Sequence, residues 1–461
     1  MSEDFFQGYK GDALEILKKY NVRVWGAAEI ETTRGNFKGT VLPRAENDDR
    51  AHIVLKIATG YNIGIDVQTI KGMKETGYKK ANYHVPEKEF PYTEGLPHVK
   101  LLGTGGTIAS RLDYRTGAVI PAFSPGELYG AVPELADICN LTTEKIFAVF
   151  SENMGPSQYM ALAKQIKTEI ENGIEGIVIG HGTDTLHHTG AALTFMCQNL
   201  PVPVILVGSQ RSSDRPSSDA ALNLMHAMTA AGHGDIAEVL VCMFGPTSDD
   251  YGLLHRGTRV RKMHSSYRST FRTIGDTPVA RITRQGVSPI KENYNHRRKD
   301  RNVTVIPTFD DRVAMLYYYP GMKPDMLDAI TERGYKGVVW VGTGLGHVNK
   351  EMYPAIERAQ KAGVHQYMTL QTIWGYVHMF VYDTGRDMMA KGIIPAGNML
   401  PEVAFIKLGW ALGQTHDPEE VKKLMLTPIN DEITEREPYN GYLVYQGGSP
   451  EVEEFVKKVH K

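Results

Sequence analysis

Three segments of the chain carry hydroxyl, carboxylate and amine groups that could perform nucleophilic or acid–base chemistry. The first is the glycine-rich run at 101–110 (LLGTGGTIAS), which contains Thr107, and the second is HGTDT at 181–185. The third is Lys262, which follows several arginines in RGTRVRK. A lysine can take a proton from a threonine hydroxyl when burial or neighbouring positive charge lowers its pKa. Either threonine-bearing segment could therefore supply a nucleophile, with Lys262 as its base.

Each segment taken alone also has a purely structural interpretation. The glycine run could be a tight turn after a strand, because it matches neither the phosphate-binding loop pattern nor the dinucleotide-binding pattern. Thr183 or Asp184 could cap the helix that follows, and for this segment by itself capping is the favoured interpretation. Lys262 could lie on the surface, where most lysines are found.

The hydrophobic pattern predicts the elements that must position these groups. From residue 99 short apolar runs alternate with amphipathic segments, which predicts an α/β fold with βαβ units and a parallel sheet. The predicted strands are VKLLG, EKIFAVF, EGIVIG, PVPVILVG and EVLVCMFG, and the predicted helices span 157–172, 185–199 and 219–231. Open α/β sheets bind ligands at the carboxyl ends of their strands, which is where both threonine-bearing segments fall.

The texture of the sequence predicts four parts. Residues 1–95 should form a small β-rich, barrel-like module and linker, with a helix at 12–20, strands at 22–25, 37–42 and 52–57, and the linker at 71–97. Residues 96–302 should form the α/β domain with the nucleophile, ending in a basic connector. Residues 303–428 should form a smaller α/β domain, from apolar segments at 303–308, 313–318, 337–343, 365–369 and 399–412. Residues 429–461 form a tail with a predicted strand at 442–446.

Composition excludes several classes of protein. The 461 residues carry 51 Lys and Arg against 53 Asp and Glu, a formal charge of -2, which argues against a polyanion binder. The three widely spaced cysteines, Cys139, Cys197 and Cys242, predict neither a disulfide framework nor a cysteine-based metal site. The first residues lack an export pattern, and no run has the roughly 18 apolar residues needed to span a bilayer. We expect a cytoplasmic protein without a metal.

One stretch departs strongly from this balance. Residues 255–301 contain 13 Lys or Arg and only Asp276, Glu292 and Asp300 as acidic residues. The stretch could be a surface for RNA or an acidic partner, or a solvated connector between domains. The connector is the favoured interpretation because few aromatic residues are present for stacking on bases.

The combination of motifs resembles the bacterial-type L-asparaginase family. The resemblance is carried by TGGTIA at 104–109, HGTDT at 181–185, PVPVILVGSQR at 201–211 and the arginine-flanked lysine, and it extends over about 98–428. It implies an asparaginase-like two-domain parallel-sheet core. It also implies that Thr107 is the nucleophile, that Thr183 and Lys262 relay the proton, and that Asp184 holds the lysine and the substrate α-amino group.

The same resemblance implies residues that bind the substrate. Ser151 and Glu152 stand where the family grips the amino-acid head group, and Gly106 and Gly182 would offer backbone N–H groups. Two departures affect this assignment. The tyrosine nearest to the family's loop position is Tyr114, which comes early, and Ser-Glu-Asn stands where asparaginases commonly have Ser-Gln-Asp.

The additional amino-terminal module and tail narrow the resemblance further. Together with SENMGPSQ and GNMLPEVAFIKLGWALG they resemble the D-type subunit family of archaeal glutamyl-tRNA(Gln) amidotransferases. That resemblance implies a glutaminase that uses a threonine acyl-enzyme and delivers ammonia to the E-type amidotransferase subunit, which converts Glu-tRNA(Gln) to Gln-tRNA(Gln) with ATP and Mg. It further implies a homodimer core within a two-plus-two heterotetramer, no cofactor in this chain, and docking by the module. The alternatives are a free-standing L-asparaginase or glutaminase, and a non-enzymatic protein that binds RNA through 255–301.

Overall fold

The protein is described from a computed structural model. The described residues are 5–6, 8–44, 48–59, 61–78, 91–105, 111–112, 119–120, 132–211, 217–283, 285–438, 442 and 458. The chain divides into two compact units, of which the first comprises Met1–Pro86 with Ser110–Ile120 and the second Glu87–Ala109 with Pro121–Lys461.

The strands of the described residues have the following bounds: β1 Gly26–Thr32, β2 Gly35–Val41, β3 His52–Ile57, β4 Asn62–Asp66, β5 Ile70–Tyr78, β6 His98–Gly103, β7 Arg111–Leu112, β8 Val119–Ile120, β9 Asn140–Lys145, β10 Gly176–Gly180, β11 Cys197–Gln198, β12 Val204–Val207, β13 Val239–Phe244, β14 Gly252–Arg256, β15 Val260–Lys262, β16 Phe271–Thr273, β17 Ala280–Thr283, β18 Gly286–Pro289, β19 Thr304–Val305, β20 Val313–Tyr317, β21 Gly337–Gly342, β22 His365–Leu370 and β23 Ile393–Pro395.

The α-helices of the described residues have the following bounds: α1 Gly11–Lys19, α2 Pro156–Glu171, α3 Leu186–Met196, α4 Ala220–His233, α5 Asp325–Glu332, α6 Tyr353–Lys361, α7 Asp383–Ala390, α8 Pro401–Leu412 and α9 Pro418–Leu426.

The smaller unit is an antiparallel sheet with one hydrophobic core. Its five strands pair in the order β4-β3-β2-β1-β5, and α1 contributes Leu17 to a core that includes Ile30 and Leu55. This confirms a small β-rich module. The strand predicted at 22–25 is wrong, because Trp25 has a φ of 71°, which an extended strand excludes, and β1 begins one residue later. Part of the predicted linker is β5, which pairs along the whole of β1.

The larger unit is built on an eight-stranded sheet of order β18-β17-β14-β13-β12-β10-β6-β9. The five strands from β13 to β9 run parallel, as the alternating pattern predicted, and β14, β17 and β18 add antiparallel pairs. Successive residues of β10 face opposite sides: Ile177 and Ile179 pack with α2 and α3, and Val178 packs with α4. Burial on both faces explains why these strands appear in the sequence as continuous apolar runs.

The carboxyl-terminal part of this unit contains a second, four-stranded parallel sheet of order β20-β21-β22-β23. Its apolar segments at 313–318, 337–343 and 365–369 form strands as the sequence indicated, whereas 399–412 contains helix α8. Residues 304–305 pair with β11 instead of joining the small sheet. Helix α8 packs in the same core as α3, so the two α/β parts share one hydrophobic interior.

The basic stretch 255–301 is not a solvated connector, so that prediction is wrong. It contributes β17 and β18 to the large sheet, and β15 and β16 pair as a hairpin. Arg297 donates hydrogen bonds to the main-chain carbonyls of Gly234, Glu175 and Ala231. Arg301 donates to the carbonyl of Ile174, at 2.8 Å. These carbonyls lie just beyond or within the last turns of α2 and α4, where free acceptors attract cations, so the charge excess is used inside the chain.

Candidate active site

The candidate site begins at the edge where β6, β10 and β12 end. The strands are parallel neighbours, with Gly103 opposite Gly180 and Gly180 opposite Val207. After β6, Thr104 donates from both its N–H and its Oγ1 to the Gly180 carbonyl, at 3.0 and 2.8 Å. After β10, the His181 N–H donates to the Val207 carbonyl at 2.8 Å. The glycine-threonine run and the HGTDT segment therefore leave the sheet side by side.

Lys262 reaches this edge from the β15–β16 hairpin. Its Nζ donates to Thr183 Oγ1 at 2.9 Å and to Asp184 Oδ1 at 2.7 Å. Thr183 is buried, and the lysine side chain is only 11% exposed whereas that of Asp184 is 69% exposed. The surface location considered for Lys262 is therefore wrong. The amine and the hydroxyl meet out of bulk water, while the carboxylate faces solvent.

The helix-capping interpretation of HGTDT is also wrong. Helix α3 begins at Leu186, and its N-cap residue, Thr185, makes no side-chain capping bond. The Thr185 hydroxyl instead donates to the Ser151 carbonyl at 2.5 Å, and Asp184 pairs with Lys262. The polar side chains of this segment are directed to other loops of the site, where they can act in chemistry.

Ser151 lies against the same segment, on a short turn at Ser151–Asn153. A methyl group on Gly182 would lie 2.8 Å from Ser151 Cβ, so only glycine permits this approach. Ser151 is buried and Glu152 is exposed. The structure thus brings Ser151, Gly182, Thr183, Asp184 and Lys262 together.

His181 supports the segment without titrating in the neutral range. Burial lowers its pKa to about 4. Its Nδ1 lies 2.6 Å from the Gly182 carbonyl and its Nε2 lies 2.8 Å from Thr189 Oγ1. Because a carbonyl can only accept, Nδ1 carries the hydrogen and Nε2 accepts from the Thr189 hydroxyl. The neutral ring fixes the main chain immediately before Thr183.

A cavity of about 250 Å³ borders the lysine–aspartate pair, and its lining includes Asp184, His187, Arg261 and Lys262. Burial, reinforced by neighbouring positive charges, lowers the pKa of His187 well below its usual value. Within the described part of the chain, no group of three or more His, Cys, Asp or Glu side chains could hold a metal ion.

Several predictions fall on residues outside the described set. Thr107, Gly106 and Tyr114 are among them, as is nearly all of the strand predicted at 442–446. Their roles stay predictions.

Sequence reasoning missed the residue that holds the loop after β12. Asp219 is fully buried and accepts from the N–H groups of Gln210 and Arg211, at 3.0 and 2.9 Å. Its side chain also accepts from Asn223 at 2.9 Å. An aspartate directly before an apolar helix, close behind a Gly-Ser-Gln-Arg run, was the available signal, but it fits an ordinary helix cap equally well.

Three parts of the chain match known families. Residues 98–294 match a family described as "Asparaginase, N-terminal", 312–425 match "Glutaminase/Asparaginase C-terminal domain", and 24–73 match "GatD N-terminal domain". The chain is 46% identical over 437 residues to the D-type subunit of glutamyl-tRNA(Gln) amidotransferase from Thermococcus kodakarensis, covering 93% of this chain and 98% of the relative. The chain belongs to this D-type subunit family. The protein of the same name from Metallosphaera sedula is 43% identical, with 93% and 97% covered.

Solved L-asparaginases share the fold with this member of the D-type subunit family. The thermostable L-asparaginase from Thermococcus kodakarensis matches with a TM-score of 0.65 and 31% identity, covering 73% of this chain and 99% of that one. L-asparaginase I from Vibrio cholerae matches with a TM-score of 0.64 and 26% identity, with the same coverage. These matches confirm the predicted asparaginase-like fold. None of the described helices is long and apolar enough to cross a bilayer.

Proposed function

We propose that this chain is the glutaminase subunit of a tRNA-dependent amidotransferase, acting in the cytoplasm. The observation that carries the proposal is the contact of Lys262 with both Thr183 and Asp184 at the edge where β6 and β10 end. A partly buried amine bonded to a hydroxyl and a carboxylate can move a proton during acyl transfer. The family's printed name supports the substrate and the setting.

In the proposed reaction, Thr107 Oγ1 attacks the side-chain carbonyl carbon of glutamine. Its proton passes through Thr183 and Lys262 to the leaving nitrogen, so the C–N bond breaks with release of ammonia and a threonine ester remains. Water then attacks the ester, returning the threonine hydroxyl and releasing glutamate. Thr107 follows Gly105 by two residues, at most about 7 Å of extended chain. That reach, together with the shared strand edge, supports an encounter with Thr183.

The substrate head group is proposed to bind beside this centre. Asp184, with its exposed carboxylate, would hold the α-amino group, while Ser151 and Glu152 would contact the rest of the head group. Backbone N–H groups at Gly106 and Gly182 are the proposed donors to the substrate and to the developing oxyanion. This chain would need no cofactor.

The released ammonia is proposed to pass to the E-type amidotransferase subunit, which would amidate Glu-tRNA(Gln) with ATP and Mg. Free ammonia is largely protonated near neutral pH and is then not a nucleophile, so it must travel through an enclosed path. The chain would form the homodimer core of a two-plus-two heterotetramer, with the amino-terminal module as a docking element. The relatives are named as subunits of an amidotransferase, which supports an assembly of this kind.

The test is an amidation assay with the purified chain, the E-type partner, ATP, Mg and Glu-tRNA(Gln). Glutamine labelled with ¹⁵N in its side-chain amide is supplied together with excess unlabelled ammonium. We expect the Gln-tRNA(Gln) product to keep the label, and we expect Lys262→Ala to abolish the glutamine-dependent reaction while ammonium-dependent amidation persists. Product that carries only the unlabelled nitrogen would contradict delivery through an enclosed path.

The alternative is a free-standing L-asparaginase or glutaminase, favoured by the match to solved L-asparaginases over 73% of the chain. Steady-state hydrolysis of asparagine and glutamine, with and without the partner, separates the two functions. Rapid asparagine hydrolysis that the partner does not change would establish the alternative.

A further inference from the structure

The hairpin that carries Lys262 is held by a single buried guanidinium. Arg259 lies three residues before Lys262 and is 1% exposed. Its Nε donates to the Asp431 carbonyl at 2.6 Å, and one terminal nitrogen donates to the Asn398 carbonyl at 2.9 Å. The other terminal nitrogen donates to Asn398 Oδ1 at 3.0 Å and to Thr434 Oγ1 at 3.3 Å. All three nitrogens of the side chain are therefore committed to two separate segments.

The acceptors of Arg259 are themselves bound to one another. The Asn398 side chain accepts from the Thr434 N–H at 3.0 Å and donates to the Thr434 hydroxyl at 2.8 Å. Asp431 has a φ of 55°, a region that non-glycine residues rarely occupy, and its carboxylate pairs with Arg256. Such a conformation persists where the surroundings impose it, and here two arginines from one side do so.

The network ends at the catalytic amine. Val260 and Phe271 bury the base of the hairpin in the shared core, and Lys262 stands opposite Phe271 at its far end. Packing of this kind fixes where the hairpin lies but resists tilting weakly, whereas the planar guanidinium fork fixes direction at several points. The lysine must keep its Nζ within 2.9 Å of Thr183 Oγ1, so a small tilt would separate the two groups.

We propose that Arg259 is a positioning residue that aims Lys262 at Thr183 by fixing the β15–β16 hairpin to Asn398 and to the 431–434 segment. This inference rests on the proposed glutaminase function. It assigns to the described part of the carboxyl-terminal segment a role in catalysis beyond covering the core.

The experiment compares Arg259→Lys with Arg297→Lys in glutamine hydrolysis by the full-length chain with its amidotransferase partner present. Arg297 is a matched control, because it also donates to three main-chain carbonyls but lies among the ends of α2 and α4. Lysine keeps the charge and loses the fork. We expect kcat of Arg259→Lys to fall by about ten- to a hundred-fold, with KM little changed and the pH profile of kcat shifted. Arg297→Lys should lower the unfolding temperature but keep the wild-type kcat and pH profile.

A double variant shows whether the effect acts through Lys262. In the Lys262→Ala background, Arg259→Lys should cause no further loss of kcat, since the group it positions is gone. If Arg259→Lys fails to fold, Thr434→Val removes one acceptor and should give a smaller fall in kcat of the same kind. Wild-type kcat and pH profile in the folded variant, or equal losses in Arg259→Lys and Arg297→Lys, would overturn the inference alone. Full activity of Lys262→Ala would instead remove the proposed function on which it rests.

Discussion

Both parallel sheets of the larger unit end a strand in glycine followed closely by threonine, yet the two threonines do different things. After β21, Thr343 Oγ1 donates to the His347 carbonyl at 3.1 Å and closes its own turn. After β10, Thr183 Oγ1 accepts from Lys262, which lies 79 residues away in the sequence. A hydroxyl at a strand end is therefore not enough to make a site. The candidate site exists because a charged group from a separate hairpin reaches one of the two edges.

Removal of that charged group should have the largest effect. We expect Lys262→Ala to lower kcat for glutamine hydrolysis by about 10³-fold, since acid–base groups contribute on the order of 10²–10⁴-fold. The unfolding temperature should change little by comparison. Steady-state kinetics and thermal denaturation of the same preparation measure both, and a loss of less than tenfold would contradict the proton-transfer role.

The hydroxyl of Thr183 is the next test. Thr183→Val keeps the shape of the side chain and removes the group that accepts from Lys262, so kcat should fall by about 10²-fold while glutamine still binds. The same substitution at Thr343 is its control. Equal rates for the two variants would show that the strand-end threonines do not differ in function.

Close approach at Gly182 should matter for substrate binding. Gly182→Ala places a methyl group 2.8 Å from Ser151 Cβ, so Ser151 must move. We expect KM for glutamine to rise and the free energy of unfolding to fall by about 1–3 kcal/mol. Gly155→Ala is the control in the next turn, because its methyl group would meet only Gln158 Oε1, at 3.7 Å. An unchanged KM in Gly182→Ala would argue against Ser151 as a substrate contact.

Acid should weaken the large sheet through its buried histidines. Burial lowers the pKa of His181 and His188 to about 4 and that of His255 to about 3, from 6.5. Above pH 6.5 these rings are neutral in both states. Below it the unfolded chain binds protons that the folded chain does not, so the free energy of unfolding falls from about pH 6.5 down to pH 4 and then levels for His181 and His188. Urea unfolding at several pH values measures this, and His188→Asn should make the slope shallower. A slope that is the same in that variant would contradict the assignment of His188.

The smallest effect is expected at the other sheet. Thr343→Val removes one hydrogen bond within a turn, so the free energy of unfolding should fall by about 0.5–1.5 kcal/mol with no change in kcat. Differential scanning calorimetry combined with the glutaminase assay measures both quantities. A loss of activity here would mean that the two strand edges are coupled.

The sequence by itself determined the elements of the larger unit and the candidates for chemistry. The strands of 176–180, 204–207 and 239–244 are legible because burial on both faces makes each a continuous apolar run, and the helices between them repeat with the helical period. These signals are local, since each depends on residues within a few positions of one another. Where a local signal misled, as at Trp25, a single left-handed residue ended the extended conformation.

Only the tertiary structure decided which groups meet and what the basic stretch does. Lys262 joins Thr183 across 79 residues, and neither residue carries a mark of the other. The arginines of 255–301 are satisfied largely by main-chain carbonyls, as Arg297 and Arg301 show, and such acceptors do not appear in a count of charged side chains. Long-range contacts depend on how packed sheets bring distant loops together, and this information is distributed over the whole chain.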